Sequence, residues 1–223
     1  MAGQQEPVIW MRPEQAAVGR PAERSRAEIT AAAVQLADGE GLEAVSMRRV
    51  ASLLGTGAAS LYRYVATRDD LLDLMTDSTA GEYDLPAPSG DWQADLLGVA
   101  RQARQIMRRH PWLPAMVVGR APLGPHGIDL LEHVLDVLGD HPADPARKLE
   151  AFALLNGLTA LSVQNETAAT DTSARRQSGY LRHIAAAGSH PRITALLGTS
   201  PPDGDPIDRF DAVLVRALTG VLE

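Results

Sequence analysis

The chain of 223 residues is 45% hydrophobic and 22% charged, within the range of ordinary globular proteins, and its net charge is −7. It contains no cysteine, which excludes disulfide bonds, thiolate metal sites and a cysteine nucleophile. Its apolar runs are shorter than the core of a signal peptide or a membrane-spanning helix, so we expect a cytoplasmic protein without membrane contact.

The first part of the chain predicts short helices in close succession. Residues 1–23 are expected to form a flexible N-terminal extension. A serine followed three residues later by a glutamate has the spacing of a capping box and predicts a helix over 25–39. Apolar residues at helical spacing predict two short helices at 46–54 and 57–65, and a threonine before Arg-Asp-Asp begins another helix near residue 68.

The remainder of the chain predicts a larger helical region, which begins after a Pro/Gly-rich break at 84–90. Apolar residues recur there at helical spacing almost to the end, and alternating β-branched runs are missing, so we predict an all-α fold. The expected helices lie at 92–106, from 112, and at 126–138, 146–168, 173–187 and 207–222, with a Gly/Pro-rich loop between the last two.

Positive charge is concentrated in one short stretch. Residues 44–68 contain four arginines and no acid, while the rest of the chain carries 17 basic and 28 acidic residues. A basic island on an acidic body is typical of a protein that meets DNA with one small surface.

The two short helices at 46–54 and 57–65, joined by a tight turn, predict a helix-turn-helix unit. In such a unit the second helix lies in the major groove, with its N-terminal residues against base edges. Small residues at its start allow a close approach, and aromatic and basic side chains follow at the height of the phosphates. The candidates against the bases are Thr56, Gly57, Ala58, Ala59 and Ser60, and the candidates near the phosphates are Tyr62, Arg63 and Tyr64.

The string from Leu53 to Leu72 has an apolar-Gly turn, then Leu-Tyr, then a polar pair before Leu-Leu, and it resembles the TetR family of transcriptional regulators. Residues 41–48 also fit this family, and residues 92–138 resemble the C-terminal domain of tetracycline repressors. The resemblance implies an N-terminal three-helix helix-turn-helix DNA-binding domain at 24–70. It also implies a larger C-terminal helical domain at 71–223 for ligand binding and dimerisation.

The same resemblance implies partners and roles. A homodimer would bind double-stranded, palindromic operator DNA and be released by a small-molecule inducer of unknown identity, with no cofactor, no metal and no enzymatic activity. Arg48 would read a guanine. Tyr62, Tyr64 and Arg68 would hold phosphates, and Arg63 would reach either a base or a phosphate. Tyr62 and Tyr64 have an alternative interpretation as core or rim aromatics.

Dimer contacts are expected on the helices at 146–168 and 207–222, which would pair with their copies as a four-helix bundle. The terminal helix carries a stripe too apolar to face water. The interface candidates are Leu154, Leu158, Leu161, Phe210, Leu214 and Leu218.

A ligand pocket is expected in the C-terminal region, although core packing explains the same residues equally well. A polar side chain on an uncharged helix needs a partner, and a ligand is one way to supply it. Val117 stands where tetracycline repressors carry a histidine that binds a magnesium-chelated drug, which argues against such a ligand. The pocket candidates are Trp92, Met107, Trp112, Met116, Asn156 and Thr159.

Two other functions remain as alternatives, a helical enzyme and an interaction module that does not bind DNA. The sequence has no nucleophile elbow, no His-Glu-x-x-His pattern and no glycine-rich phosphate loop, which argues against the enzyme. A scaffold has no need of the basic island at 44–68, which argues against the module.

Overall fold

A computed structural model describes residues 7–14, 24–120, 124–169, 172–198 and 206–223, without the side chains of 168, 169, 172–175 and 206–208. These ranges contain eleven α-helices and no strand, which confirms the all-α prediction. The helices are α1 (Arg26–Glu40), α2 (Met47–Leu53), α3 (Ala58–Leu61), α4 (Arg68–Ala80), α5 (Trp92–Arg109), α6 (Leu113–Gly119), α7 (Pro125–Val137), α8 (Pro145–Ala169), α9 (Thr172–Ala186), α10 (Pro191–Gly198) and α11 (Pro206–Leu222).

The helix starts in the N-terminal part are capped as the sequence predicts. Ser25 Oγ accepts the backbone N–H of Glu28 at 3.1 Å, and the Glu28 carboxylate accepts the Ser25 N–H at 2.9 Å. Thr67 and Asp70 exchange the same pair of bonds at the start of α4, both at 3.0 Å. These reciprocal bonds satisfy amides that have no partner within the helix.

The N-terminal extension is only partly as predicted. Residues 7–14 are not a flexible tail, because Ile9 is 1% exposed within a single 3₁₀ turn, and the guanidinium of Arg26 holds three of the segment's carbonyls. An apolar side chain that reaches a core can anchor even a short segment. The rest of the predicted extension, 1–6 and 15–23, lies outside the described residues.

Two further expectations need correction. The predicted loop before the last helix contains α10, because Pro191 occupies a first helical position that tolerates proline and Gly198 stands at the helix end. Proline and glycine there are boundary residues rather than breakers; 199–205 lie outside the described residues. Helix α3 is shorter than predicted, since after Leu61 the chain continues as a turn closed by Tyr64 N–H on the Leu61 carbonyl at 2.9 Å.

Two apolar clusters form the interior. The first joins α1–α4 to the C-terminal end of α5, to α6 and to α8. We call the N-terminal helices α1–α4 the head and the rest of the protein the body. Head and body therefore share one core. The second lies among α5, α7, α8 and α11. The predicted boundary between residues 70 and 71 falls inside the continuous helix α4.

The apolar stripe of α11 faces the second cluster of its own chain, which corrects part of the interface prediction. Phe210 is 8% exposed, and Leu214 and Leu218 are at most 1% exposed within a single protomer. The stripe avoids water, as its pattern indicates, but its partners are α5 and α8 rather than a second copy. On α8, Leu161 is 51% exposed, and Leu154 and Leu158 are partly buried.

A buried arginine ties three helices of the body together. Arg104 in α5 donates to the Glu166 carboxylate of α8 at 2.9 Å and 2.5 Å, and its guanidinium lies 5.3 Å from the centre of the Phe210 ring in α11. Burial alone would raise the pKa of Glu166, but the hydrogen bonds from Arg104 and Arg108 outweigh it and hold that pKa below its usual range. The ionised pair therefore fixes α5 against α8.

Candidate functional site

The head presents two short helices joined by a tight turn. Gly55 has φ 64°, a left-handed conformation that glycine adopts without strain, and the amide of Thr56 donates back to Ala51 O at 2.9 Å. Arg24 closes the other side of this turn, because its guanidinium donates to Leu54 O at 2.6 Å. These two bonds hold the turn between α2 and α3 in place.

Most of the predicted DNA-contacting residues are at least partly exposed to solvent. Arg48 is exposed on α2, whereas its neighbour Arg49 is bound to the Glu40 carboxylate at 2.6 Å and 2.8 Å. Within the described part of the chain, Arg48 makes no such ion pair. The other exposed members are Gly57, Ala59, Tyr62, Arg63 and Arg68, and Thr56, Ala58 and Ser60 are partly exposed.

Two predicted phosphate contacts have other surroundings than expected. Tyr64 is 7% exposed and belongs to the head core, so its ring has almost no surface left for DNA. The guanidinium of Arg68 donates to Val45 O and Leu42 O, both at 3.2 Å, and so joins the start of α4 to the segment before α2. Arg68 is therefore a structural link within the head, whatever else it contacts.

The body contains a cavity of about 500 Å³ between α4, α5, α6, α7 and α8. Its wall is mostly apolar, with a few polar groups from α4, α8 and the end of α6. The apolar side chains are Ala80, Tyr83, Met107, Leu113, Val117, Val118, Leu130, Leu131, Leu149, Phe152 and Ala153, and the polar ones are Thr76, Asp77, Thr79, Arg120 and Asn156, with Gly127 and Gly157 completing the wall.

The structure brings only two of the six predicted pocket residues to this cavity, Met107 and Asn156. The other four are occupied elsewhere. Trp112 and Met116 lie in the first apolar cluster, the Thr159 hydroxyl donates to Leu155 O at 2.7 Å, and Trp92 packs edge-on against His141. Trp112, Met116 and Thr159 are buried as predicted, but in the protein interior rather than in the cavity wall.

Helix α4 contributes polar groups to the cavity wall that were not among the predicted pocket residues. Asp77 is 5% exposed and accepts the Gly127 amide at 2.9 Å, and its other oxygen lies 3.1 Å from His126 Nδ1. Burial raises the pKa of Tyr83, so its phenol remains neutral in the cavity wall. The run Thr-Asp-Ser-Thr at 76–79, interrupting the apolar face of α4, is the signal that could have identified this wall.

A polar junction connects the cavity helices to the head. Asp38 of α1 lies 2.8 Å from His110 Nδ1 and accepts the indole N–H of Trp112 at 2.8 Å. The other ring nitrogen of His110 lies 2.8 Å from Glu82, which also pairs with Arg109. Burial acts to raise the pKa of Glu82, but hydrogen bonds from Arg109 and His110 outweigh it and leave that pKa lowered.

Family models match both parts of this arrangement. The model of bacterial regulatory proteins of the tetR family matches residues 29–75, and the model of the tetracyclin repressor-like C-terminal domain matches residues 85–223. The chain belongs to the TetR family of transcriptional regulators. This confirms the resemblance inferred from residues 53–72, and with it a helix-turn-helix head followed by a larger helical body.

Relatives of this chain are named as transcriptional regulators. The HTH-type transcriptional repressor DrrR1 of Streptomyces coeruleorubidus is 37% identical over 86% of this chain and 75% of its own length. An HTH-type transcriptional regulator of Saccharopolyspora erythraea is 33% identical over 88% of this chain and 83% of its own length. As a member of this family, the protein is a DNA-binding transcriptional regulator.

Solved structures of TetR-family protein ActR from Streptomyces coelicolor have the same fold. Apo ActR is 31% identical with a TM-score of 0.77, and ActR in complex with actinorhodin is 30% identical with a TM-score of 0.76. Each alignment covers 90% of this chain and 98% of ActR. ActR has also been solved in complex with (S)-DNPA.

Two features do not occur among the described residues. None of the helices in those ranges is long and apolar enough to cross a membrane. No group of three or more His, Asp or Glu side chains placed to hold a metal ion occurs among them.

Proposed function

We propose that this protein is a ligand-responsive repressor that binds a palindromic operator as a homodimer and dissociates from it when a small molecule occupies the cavity. The observation that carries the proposal is that one helix, α4, contributes to the head core and to the cavity wall. A ligand that contacts Thr76 or Thr79 therefore acts directly on the helix that continues from the DNA-reading unit. An enzyme or a scaffold would not need one helix shared between the head core and the cavity wall.

Operator reading is assigned mainly to Arg48 and to the start of α3. The exposed Gly57 and Ala59 allow the backbone of α3 to approach base edges, while Tyr62 and Arg63 stand beside them. Small side chains make few hydrogen bonds to bases, so Arg48 supplies most of the direct reading and methyl contacts and DNA shape supply the rest. Because Tyr64 is buried, we assign it to the orientation of α3 rather than to a phosphate.

The ligand is inferred from the wall of the cavity. A volume of about 500 Å³ with a mostly apolar lining suits a largely apolar molecule of drug-like size, oriented by a few polar groups. Actinorhodin and (S)-DNPA, which ActR binds, are therefore the first ligands to test. Binding weakens the operator complex only if the ligand prefers a position of α4 that differs from the DNA-bound one.

The homodimer is assigned to surface that remains exposed on α8 and α11. On α11 an exposed stripe runs at i, i+4, i+7 and i+11, through Arg209, Val213, Arg216 and Gly220. Leu161 is exposed on the neighbouring helix α8, with Leu154 and Leu158 partly exposed beside it. Two copies of this surface form a four-helix bundle about a two-fold axis, which would set two α3 helices about 34–36 Å apart for successive major grooves. A regulator of this kind acts where the chromosome is, so a cytoplasmic location belongs to the same proposal.

The DNA assignment predicts that Arg48→Ala loses discrimination at one base pair in each half-site, worth about 1–3 kcal/mol. The matched control is Arg49→Ala, in the same helix but paired with Glu40, which should change affinity for all operator variants by a similar small factor. The measurement is the affinity of each variant for a panel of single-base operator substitutions at one salt concentration. Uniform weakening by Arg48→Ala across the panel would contradict base reading.

The ligand assignment predicts that Gly157→Leu blocks induction while operator binding is preserved. A Cβ at Gly157 meets no atom within 4 Å, so leucine extends into the cavity without a backbone clash. Gly98→Leu in α5 is the control, since its Cβ also meets nothing but lies outside the cavity wall. Operator affinity is measured by fluorescence anisotropy with and without actinorhodin. Release of the wild type and Gly98→Leu but not of Gly157→Leu is expected, and equal release of all three would place the ligand elsewhere.

The interface assignment predicts that Leu161→Glu combined with Val213→Glu separates the dimer, because four carboxylates would be buried near the two-fold axis. Ile128→Glu is the control, because Ile128 is similarly exposed, at 48%, but belongs to α7 rather than to α8 or α11. Sedimentation velocity at micromolar concentration should show a folded monomer for the double variant and a dimer for the control. A double variant that remains dimeric would disprove this interface.

A further inference from the structure

A segment that belongs to neither family match connects the head to the cavity. The matches cover residues 29–75 and 85–223, whereas residues 7–14, which we call the strap, precede both. The strap is not a loose end, since its Ile9 is 1% exposed and it packs along α4. Its contacts fall at three separate points along the molecule.

The first contact holds the strap against the end of the helix-turn-helix unit. The guanidinium of Arg26, in the first turn of α1, donates to Ile9 O at 3.1 Å, Arg12 O at 3.0 Å and Pro13 O at 3.0 Å. Its remaining nitrogen, Nε, donates to Tyr64 O at 3.0 Å, in the turn that follows α3. One rigid planar group therefore holds the strap and the end of the DNA-reading unit together.

The second contact is an ion pair with the start of α4. Arg12 of the strap pairs with Asp70, which is 8% exposed. The Asp70 carboxylate also accepts the Thr67 amide in the capping box of α4. The strap is thus attached to the first turn of the helix that leads from the head to the cavity.

The third contact lies at the cavity wall, two turns further along α4. A Cβ placed on Gly124 would collide with both the Trp10 indole and the Asp77 carboxyl group, so the three groups are in close contact. Gly124 precedes α7, and Asp77 lines the cavity and accepts the Gly127 amide in the first turn of α7. Glycine at 124 is therefore what lets the indole reach the Asp77 side of the cavity.

We propose that the strap is a second connection, parallel to α4, that couples the cavity wall at Asp77 to the helix-turn-helix unit at Tyr64. A displacement of Asp77 or of the start of α7 reaches the indole of Trp10 directly, and the carbonyl contacts of Arg26 pass it to the turn after α3. The ligand side of this coupling rests on the proposed function. The head side does not, because the strap restrains the head whether or not a ligand exists.

The test breaks the strap's contact with the cavity wall, its ion pair with α4, and both together in the full-length protein. Trp10→Ala removes the contact at the cavity wall, and Arg12→Gln removes the ion pair at α4. A head that is less restrained must be ordered when it binds DNA, so each variant should weaken ligand-free operator binding by about 3- to 25-fold. If the strap is one connection, the double variant loses no more than either single variant, whereas two independent structural losses would add.

The control is Met11→Ala, in the same turn but 76% exposed, which should bind the operator like the wild type. Circular dichroism verifies the helical content of each variant; if Trp10→Ala loses it, Trp10→Leu replaces it, as a smaller apolar side chain that loosens the same contact. Wild-type operator affinity in the single variants, or additive losses in the double variant, would overturn the proposal.

A second measurement uses actinorhodin as the probe. The factor by which it weakens operator binding should fall in both single variants, because one of the two connections is lost. If actinorhodin does not act on the wild type at all, the choice of ligand fails, while the ligand-free comparison still decides whether the strap restrains the head. If it acts equally on wild type and variants, α4 alone carries the signal and the coupling proposal is wrong.

Discussion

Helix α4 is buried on two sides at once, and the remaining architecture is arranged around this constraint. Leu71, Leu72 and Met75 complete the head core, while Asp77 and Thr79 face the cavity. A helix packed into two close-fitting surfaces has few positions available, because interiors have little free volume to absorb a shift. We therefore infer that a change at the proposed DNA-reading surface is accompanied by a change at the cavity.

Hydrogen bonds also join the head to the body, and they require a defined geometry. Asp38 of α1 is held by His110 and Trp112, which stand between α5 and α6, and the same His110 contacts Glu82 just beyond α4. Such bonds need their geometry, so a displaced α5 either keeps them and carries the head with it or breaks them at a cost. We infer that the head has a small number of discrete positions relative to the body rather than a continuous range.

The sequence predicted most helices and the reading unit, because helical periodicity, capping residues and the 53–72 string are local signals. It could not show what an apolar stripe packs against, which is why Leu214 and Leu218 were assigned to a partner copy although they face their own α5 and α8. Trp112 was misplaced for the same reason, since its partner Asp38 is 74 residues away. The strap was missed because its buried isoleucine, its indole contact and its arginine contacts form no periodic pattern.

We infer that the head and the cavity helices form one cooperative unit, and native-state hydrogen exchange can reveal whether they open together. Amides of α1 and α4 in the head, and of α5 and α8 in the body, are followed by mass spectrometry as denaturant is raised below the unfolding transition. We expect the most protected amides of all four helices to converge on one opening free energy with one denaturant dependence. Head amides that exchange through a separate opening, at lower free energy and with a smaller denaturant dependence, would contradict it.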